Sequence, residues 1–116
     1  MAEFNLTTMK DRLESLRGEL PYEITTRPMM GGFIGYADGR VFVSLSRGGG
    51  FGVKLLPADQ EVLLARPGSR RMQHARNQPE SKTYIALSAA DLEDDDVLLA
   101  WVRRAAETVP GKANRR

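Results

Sequence analysis

Apolar residues recur every three or four positions at the start of the chain, at Leu6, Met9, Leu13, Leu16 and Leu20. That spacing places them on one face of a helix. Asn5, Thr7 and Thr8 are candidate N-caps, Thr8 with Asp11 has the form of a capping box, and Gly18 and Pro21 mark the end. The other face mixes Lys10, Asp11, Arg12, Glu14 and Arg17, which is the composition of a solvated face and not of a cationic membrane-binding one.

The period then changes from helical to alternating. Tyr22, Ile24 and Thr26 alternate with Glu23, Thr25 and Arg27, which predicts a strand. Asp38-Gly39 is the strongest turn signal in the chain. It suits a two-residue type I′ hairpin, in which both central residues take positive φ. It is expected to join a strand over residues 33–37 to one over 40–46. In the second strand Val41, Val43 and Leu45 are expected to share the core face, with Tyr36 and Phe42 left outside the core. Residues 46–50 then turn the chain into a further strand in which Phe51, Val53 and Leu55 alternate.

Pro57 opens a short middle helix, as proline does at a first helical position, and Pro67-Gly68 closes it. Residues 66–82 are polar and read as irregular. Residues 83–88 read as one more strand, with Ser88 capping a brief turn and Asp94 capping a last helix. Asp94, Asp95 and Asp96 would sit at the positive end of that helix dipole, with Arg103 and Arg104 further toward its negative end. Leu98, Trp101, Val102, Ala105 and Val109 would form its buried face. The pattern predicts one domain over residues 1–109 and a flexible basic tail over 110–116. The fold class is α+β: two layers, with an antiparallel sheet of about five strands, an N-terminal helix, a short middle helix and a C-terminal helix.

Composition changes this picture little. The 116 residues suffice for one domain with one core. Seventeen basic residues nearly balance 15 acidic ones, so the net charge of +2 implies no nucleic-acid partner by itself. With no cysteine there are no disulfides, no thiol catalysis and no cysteine-ligated metal. No signal core or long apolar run is present, and a cytoplasmic location is expected.

The candidate chemistry is sparse. The stretch 47–54, "RGGGFGVK", invites a phosphate-loop reading, but Val53 separates Gly52 from Lys54 and Leu55 follows where a hydroxyl is needed. The dinucleotide pattern fails too, since Val53 stands where its third glycine belongs. His74 is the only histidine, too few for a metal site. Ser44, Ser46, Ser69, Ser81 and Ser88 lack a nucleophile-elbow context. The acidic run from Asp91 to Asp96 fits a helix start and lacks EF-hand spacing. No catalytic residue, cofactor or metal is therefore expected, and the chain is expected not to be an enzyme. One feature remains: Arg66, Arg70, Arg71, Arg76 and Lys82, with His74 among them, face only Glu80 in acid. These are candidate anion or nucleic-acid contacts through phosphate, without the aromatics that would stack on bases.

The glycine-rich stretch 27–40, "RPMMGGFIGYADGR", has a different use. Arg27, Met29, Gly31 and Gly32, followed by an apolar strand, Asp38-Gly39 and another strand, resemble the Arg-x-Met-Phe-Gly-Gly motif of the TfoX N-terminal domain family. Met30 stands at its phenylalanine. The likeness continues through residues 63–72 and through the closing strand, the Leu92-Glu93-Asp94 turn and the Trp101 helix. It spans roughly residues 13–109. The resemblance implies a two-layer fold similar to secretion-chaperone-like domains and a link to regulators of natural DNA competence. It supplies no catalytic residues. The longer regulators add a C-terminal helical domain, so a single-domain form is expected here. On this reading the glycines serve shape. Gly31 and Gly32 permit a strand break or bulge, Gly35 leaves room for a helix or a partner's backbone, Gly39 serves the turn, and Met29 and Met30 fill the gap beside the bend. Arg27, Met29, Gly31, Gly32, Gly39 and Trp101 are thus the family-motif positions.

The expectation is a regulatory or adaptor domain of bacterial type, acting through an unidentified protein partner. The alternative is a nucleic-acid-binding module using residues 66–82. A homodimer formed through the sheet or its edge is also expected, because exposed sheet edges and faces invite pairing.

Overall fold

A computed structural model of the chain describes residues 6–29, 32–46, 50–73 and 79–108. Helix α1 covers Leu6–Leu16 and runs into a 3₁₀ turn at Arg17–Glu19. Strands β1 (Ile24–Met29), β2 (Gly32–Ala37), β3 (Arg40–Ser46) and β4 (Gly50–Lys54) follow. Helix α2 is Pro57–Leu64, β5 is Arg70–Arg71, β6 is Tyr84–Ala86, and α3 (Ala89–Glu93) leads into α4 (Asp95–Thr108). The six strands form one antiparallel sheet in the order β1-β2-β3-β4-β6-β5. The α+β class is as expected. The strand beyond the expected five is β5, which lies in the segment read as irregular.

One core joins the helices to one face of the sheet. Leu13 of α1, Leu63 of α2 and Leu98 and Val102 of α4 meet Phe33, Val43, Phe51, Val53 and Ile85 there. Helix α4 packs across β3 and β4. The caps are those expected: at the start of α3 Ser88 Oγ accepts the Asp91 N–H, and at the start of α4 Asp94 Oδ1 accepts the Asp96 and Val97 N–H groups. Pro57 occupies the first turn of α2. Helix α1 already begins at Leu6, so Thr7 and Thr8 lie inside it and the Thr8–Asp11 capping box is not an N-terminus. Trp101 was expected to be largely buried; it is half-buried at the margin of the core, because Leu98, Val102, Ala105 and Ala106 carry the buried stripe. Asn5, Met30, Gly31, Val109 and the tail 110–116 lie outside the described residues.

The Asp38-Gly39 turn forms as expected, with φ of 51° and 82°. Asp38 also clasps the residue before β1: its N–H donates to the Glu23 carbonyl at 2.9 Å, and its Oδ1 accepts the Glu23 N–H at 2.8 Å.

The expected alternation in β3 does not hold. Tyr36 pairs with Val41 and Gly35 with Val43, so Phe42 is an extra residue, a β-bulge. The bulge turns Phe42 and Val43 both into the core, where each is fully buried, and leaves Val41 half-buried on the opposite face beside Tyr36. Phe42 is therefore not available to a partner. Gly35 makes the arrangement possible. A Cβ there would collide with Val43 Cγ2 and touch Leu13 and Phe42. The room it leaves is filled from within the domain, not by a partner. Gly32 serves close approach too, since its Cβ would fall on the carbonyl oxygen of Leu45.

These contacts rank three substitutions. Phe42→Asp should unfold the domain, since it removes a fully buried ring and buries a charge, a loss of more than ~4 kcal/mol. Gly32→Ala should cost about 3 kcal/mol, because backbone cannot step aside, and Gly35→Ala about 1–3 kcal/mol, because the Val43 side chain can shift. Urea denaturation followed by circular dichroism gives the order. A stable Phe42→Asp protein would remove the bulge from the account.

Candidate functional site

With α1, α2 and α4 gathered on one face, no helix of the described residues lies over the other face of the sheet. Strand parity decides what stands there. Thr25 pairs with Tyr36 and Arg27 with Ile34, across β1 and β2. Tyr36 faces Val41 across the next pair, and Lys54 faces Tyr84 across β4 and β6. Ile34, Tyr36, Val41 and Tyr84 are half-buried, while Thr25 and Arg27 are exposed. A shallow hollow of about 330 Å³ opens among Thr25, Arg27, Tyr36 and Gly39.

The far half of this face is closed by its own side chains. Gly52 pairs with Ala86, and Met72 lies over them: a Cβ on Gly52 would stand 2.6 Å from Met72 Sδ. Met72, Gly52, Ala86 and Ser44 are all buried there. Sequence reasoning missed this cluster, since Met72 sits in a polar stretch. The signal for it is two small residues, Gly52 and Ala86, on facing strands.

Tyr84 sits at the boundary. Burial, and second the nearby Tyr36 phenol, push its phenol up to about 12. Tyr84 thus keeps its proton to higher pH, a neutral hydroxyl of the kind suited to a contact surface.

Among the described residues, two of the basic candidates are engaged within the domain. Arg66 is held by Asp91 through two hydrogen bonds, Nε to Oδ2 at 2.8 Å and Nη2 to Oδ1 at 2.9 Å. These bonds hold the Asp91 carboxyl below its ordinary range, against the burial that pushes it up. The pair ties the chain after α2 to α3. Arg70 and Arg71 are neighbours in β5 and so face opposite sides of the sheet. Arg71 donates to Oε1 of the buried Gln60 at 3.0 Å, and Gln60 donates to the Leu55 carbonyl at 2.8 Å. Arg70 and Lys82 are exposed. His74 and Arg76 lie outside the described residues.

Of the family-motif positions, Arg27 stands on the rim of the hollow, Gly39 in its turn, and Gly32 under Leu45. Met29 ends β1, and Trp101 is on α4, away from this face. A second groove of about 360 Å³ runs between α1 and α4, walled by Arg12, Glu19, Asp95 and Asp96, with Arg12 bonded to Asp95 at 2.6 Å. Among the described residues, no three or more acidic or histidine side chains are grouped to hold a metal ion, and no helix is long and apolar enough to cross a membrane.

The TfoX N-terminal domain family model matches residues 16–109. The chain therefore belongs to that family, as a single such domain over most of its length. No curated protein and no solved structure matches it significantly.

The Tyr84 setting fixes a pH dependence. A phenol raised in the folded state adds stability that is fully present below its unfolded value near ~10 and lost as pH rises toward about 12. Tyr84 should ionise late in a 295 nm absorbance titration, and Tyr84→Phe should remove that late step. A late step that persists in Tyr84→Phe would assign it elsewhere.

Proposed function

We propose that this chain is a non-enzymatic regulatory or adaptor domain that acts by binding another protein with the open half of its sheet. The observation that carries the reading is the half-buried group Ile34, Tyr36 and Val41, beside Arg27, on a face that no helix of the described residues covers. Such a surface offers a flat apolar centre with a polar rim, the anatomy of a protein contact. Tyrosine supplies contact area at small entropic cost. Family membership supports a regulatory role like that of competence regulators, in a bacterial cytoplasm. The dispersal of Arg66, Arg70 and Arg71 over an ion pair and two sheet faces speaks for protein over nucleic acid as the partner.

The test is affinity capture from native lysate by the wild type and by Tyr36→Asp, each with and without nuclease. Wild type should retain the same proteins after nuclease treatment, and Tyr36→Asp should lose them while melting within a few degrees of wild type. Capture abolished by nuclease, or direct DNA binding that weakens steeply with salt, would establish the nucleic-acid reading instead.

A further inference from the structure

Strand β1 is one edge of the sheet, and among the described residues no strand pairs with its outer side. Both backbone groups of Glu23 are turned inward, to Asp38. Alternation along an antiparallel strand then turns Thr25 and Arg27 inward as well, and points the N–H and C=O of Ile24 and Thr26 outward. Pro28 falls at an outward position, where its missing N–H costs β2 no bond.

We propose that β1 pairs with β1 of a second copy, antiparallel, about a two-fold axis at Thr25. In that register Ile24 and Thr26 exchange both backbone hydrogen bonds with Thr26 and Ile24 of the second copy, four bonds in all. Thr25 meets its own equivalent. Glu23 meets Arg27 twice, at non-hydrogen-bonded positions, where facing side chains are closest. The charges are available for this. Glu23 and Arg27 are exposed, and neither makes an ion pair among the described residues.

Other registers are worse. Backbone alternation forbids shifts by one residue that would pair outward with inward positions. An axis at Ile24 or at Thr26 takes Glu23 and Arg27 away from each other, and the latter also sets Ile24 against Pro28, which cannot donate. An axis at Arg27 or Glu23 brings like charges together. The stretch Glu23-Ile24-Thr25-Thr26-Arg27 is thus self-complementary in a single register. The assembly joins two six-stranded sheets into one and places the two open faces side by side. The pairing does not depend on what the open face binds.

The test uses charge reversal and sedimentation at tens of micromolar protein. Wild type should sediment as a dimer. Arg27→Glu and Glu23→Arg should each be monomeric, because each sets like charges opposite each other twice. An equimolar mixture of the two should form a one-to-one heterodimer, since each Glu–Arg contact is then restored across the pair. The double variant Glu23→Arg/Arg27→Glu should be dimeric again. In wild type, the amide protons of Ile24 and Thr26 should exchange faster on dilution. Both side chains are outside the core, so all variants should melt close to wild type. A monomeric wild type overturns the proposal. So does a dimer untouched by Arg27→Glu, or a mixture of the folded single variants that stays monomeric.

Discussion

Between Tyr36–Val41 and Gly35–Val43 the ladder skips Phe42, and the core is built around that skipped residue. A regular strand would send only alternate side chains inward. The bulge sends two in succession, Phe42 and Val43, and the absent side chain at Gly35 gives them and Leu13 of α1 a common site. A bulge also increases local twist. One of the strands it couples, β3, is also crossed by α4, so the placement of the longest helix depends in part on the same few atoms. Two side chains that a flat, regular strand would send to opposite faces instead pack on one.

Burial on one side has a consequence for the other. Helix α4 is tied to the rest of its layer by Arg12–Asp95, by Arg103 to the Glu19 carbonyl and by Arg104–Asp59. Exposed pairs of this kind contribute little energy each, and their effect here is on orientation. With every long helix in one layer, the opposite face depends on its own side chains for cover. Met72 achieves this over Gly52 and Ala86. Around Tyr36 no such side chain is present among the described residues, and the face remains open. The division of that face into a closed and an open half follows from where one methionine lies.

Much of this was legible in the sequence, for reasons that can be named. The Asp38-Gly39 turn, Pro57 and the Ser88 and Asp94 caps are local signals and act as read, and Met9, Leu13 and Leu16 of the α1 stripe are buried, with Leu20 buried just past the helix. What failed was alternation across β3. A bulge is a property of two strands, set by how Gly35 and Val43 meet, and neither strand shows it alone. Strand β5 was missed because two residues carry no period, and Met72 because its partners are distant in sequence. The basic segment was read by its charge count. The count was right, but an ion pair, a buried amide and the alternation of β5 separate the charges in space.

The two edges of the sheet differ in a way that bears on association. Strand β5 is two residues long, which offers a passing strand almost nothing to pair with. Strand β1 is six residues long, and Asp38 extends its ordered backbone to Glu23. An edge of that length needs protection against indiscriminate pairing, and proline and charge are the usual means. Here both lie where they restrict pairing without forbidding it. Pro28 removes one outward donor and leaves Ile24 and Thr26 intact. Arg27 repels a copy of itself, yet with Glu23 four residues away it favours one antiparallel register. A pair of like charges at these positions would shield the edge outright. The opposite signs make it selective, admitting one alignment and rejecting its neighbours.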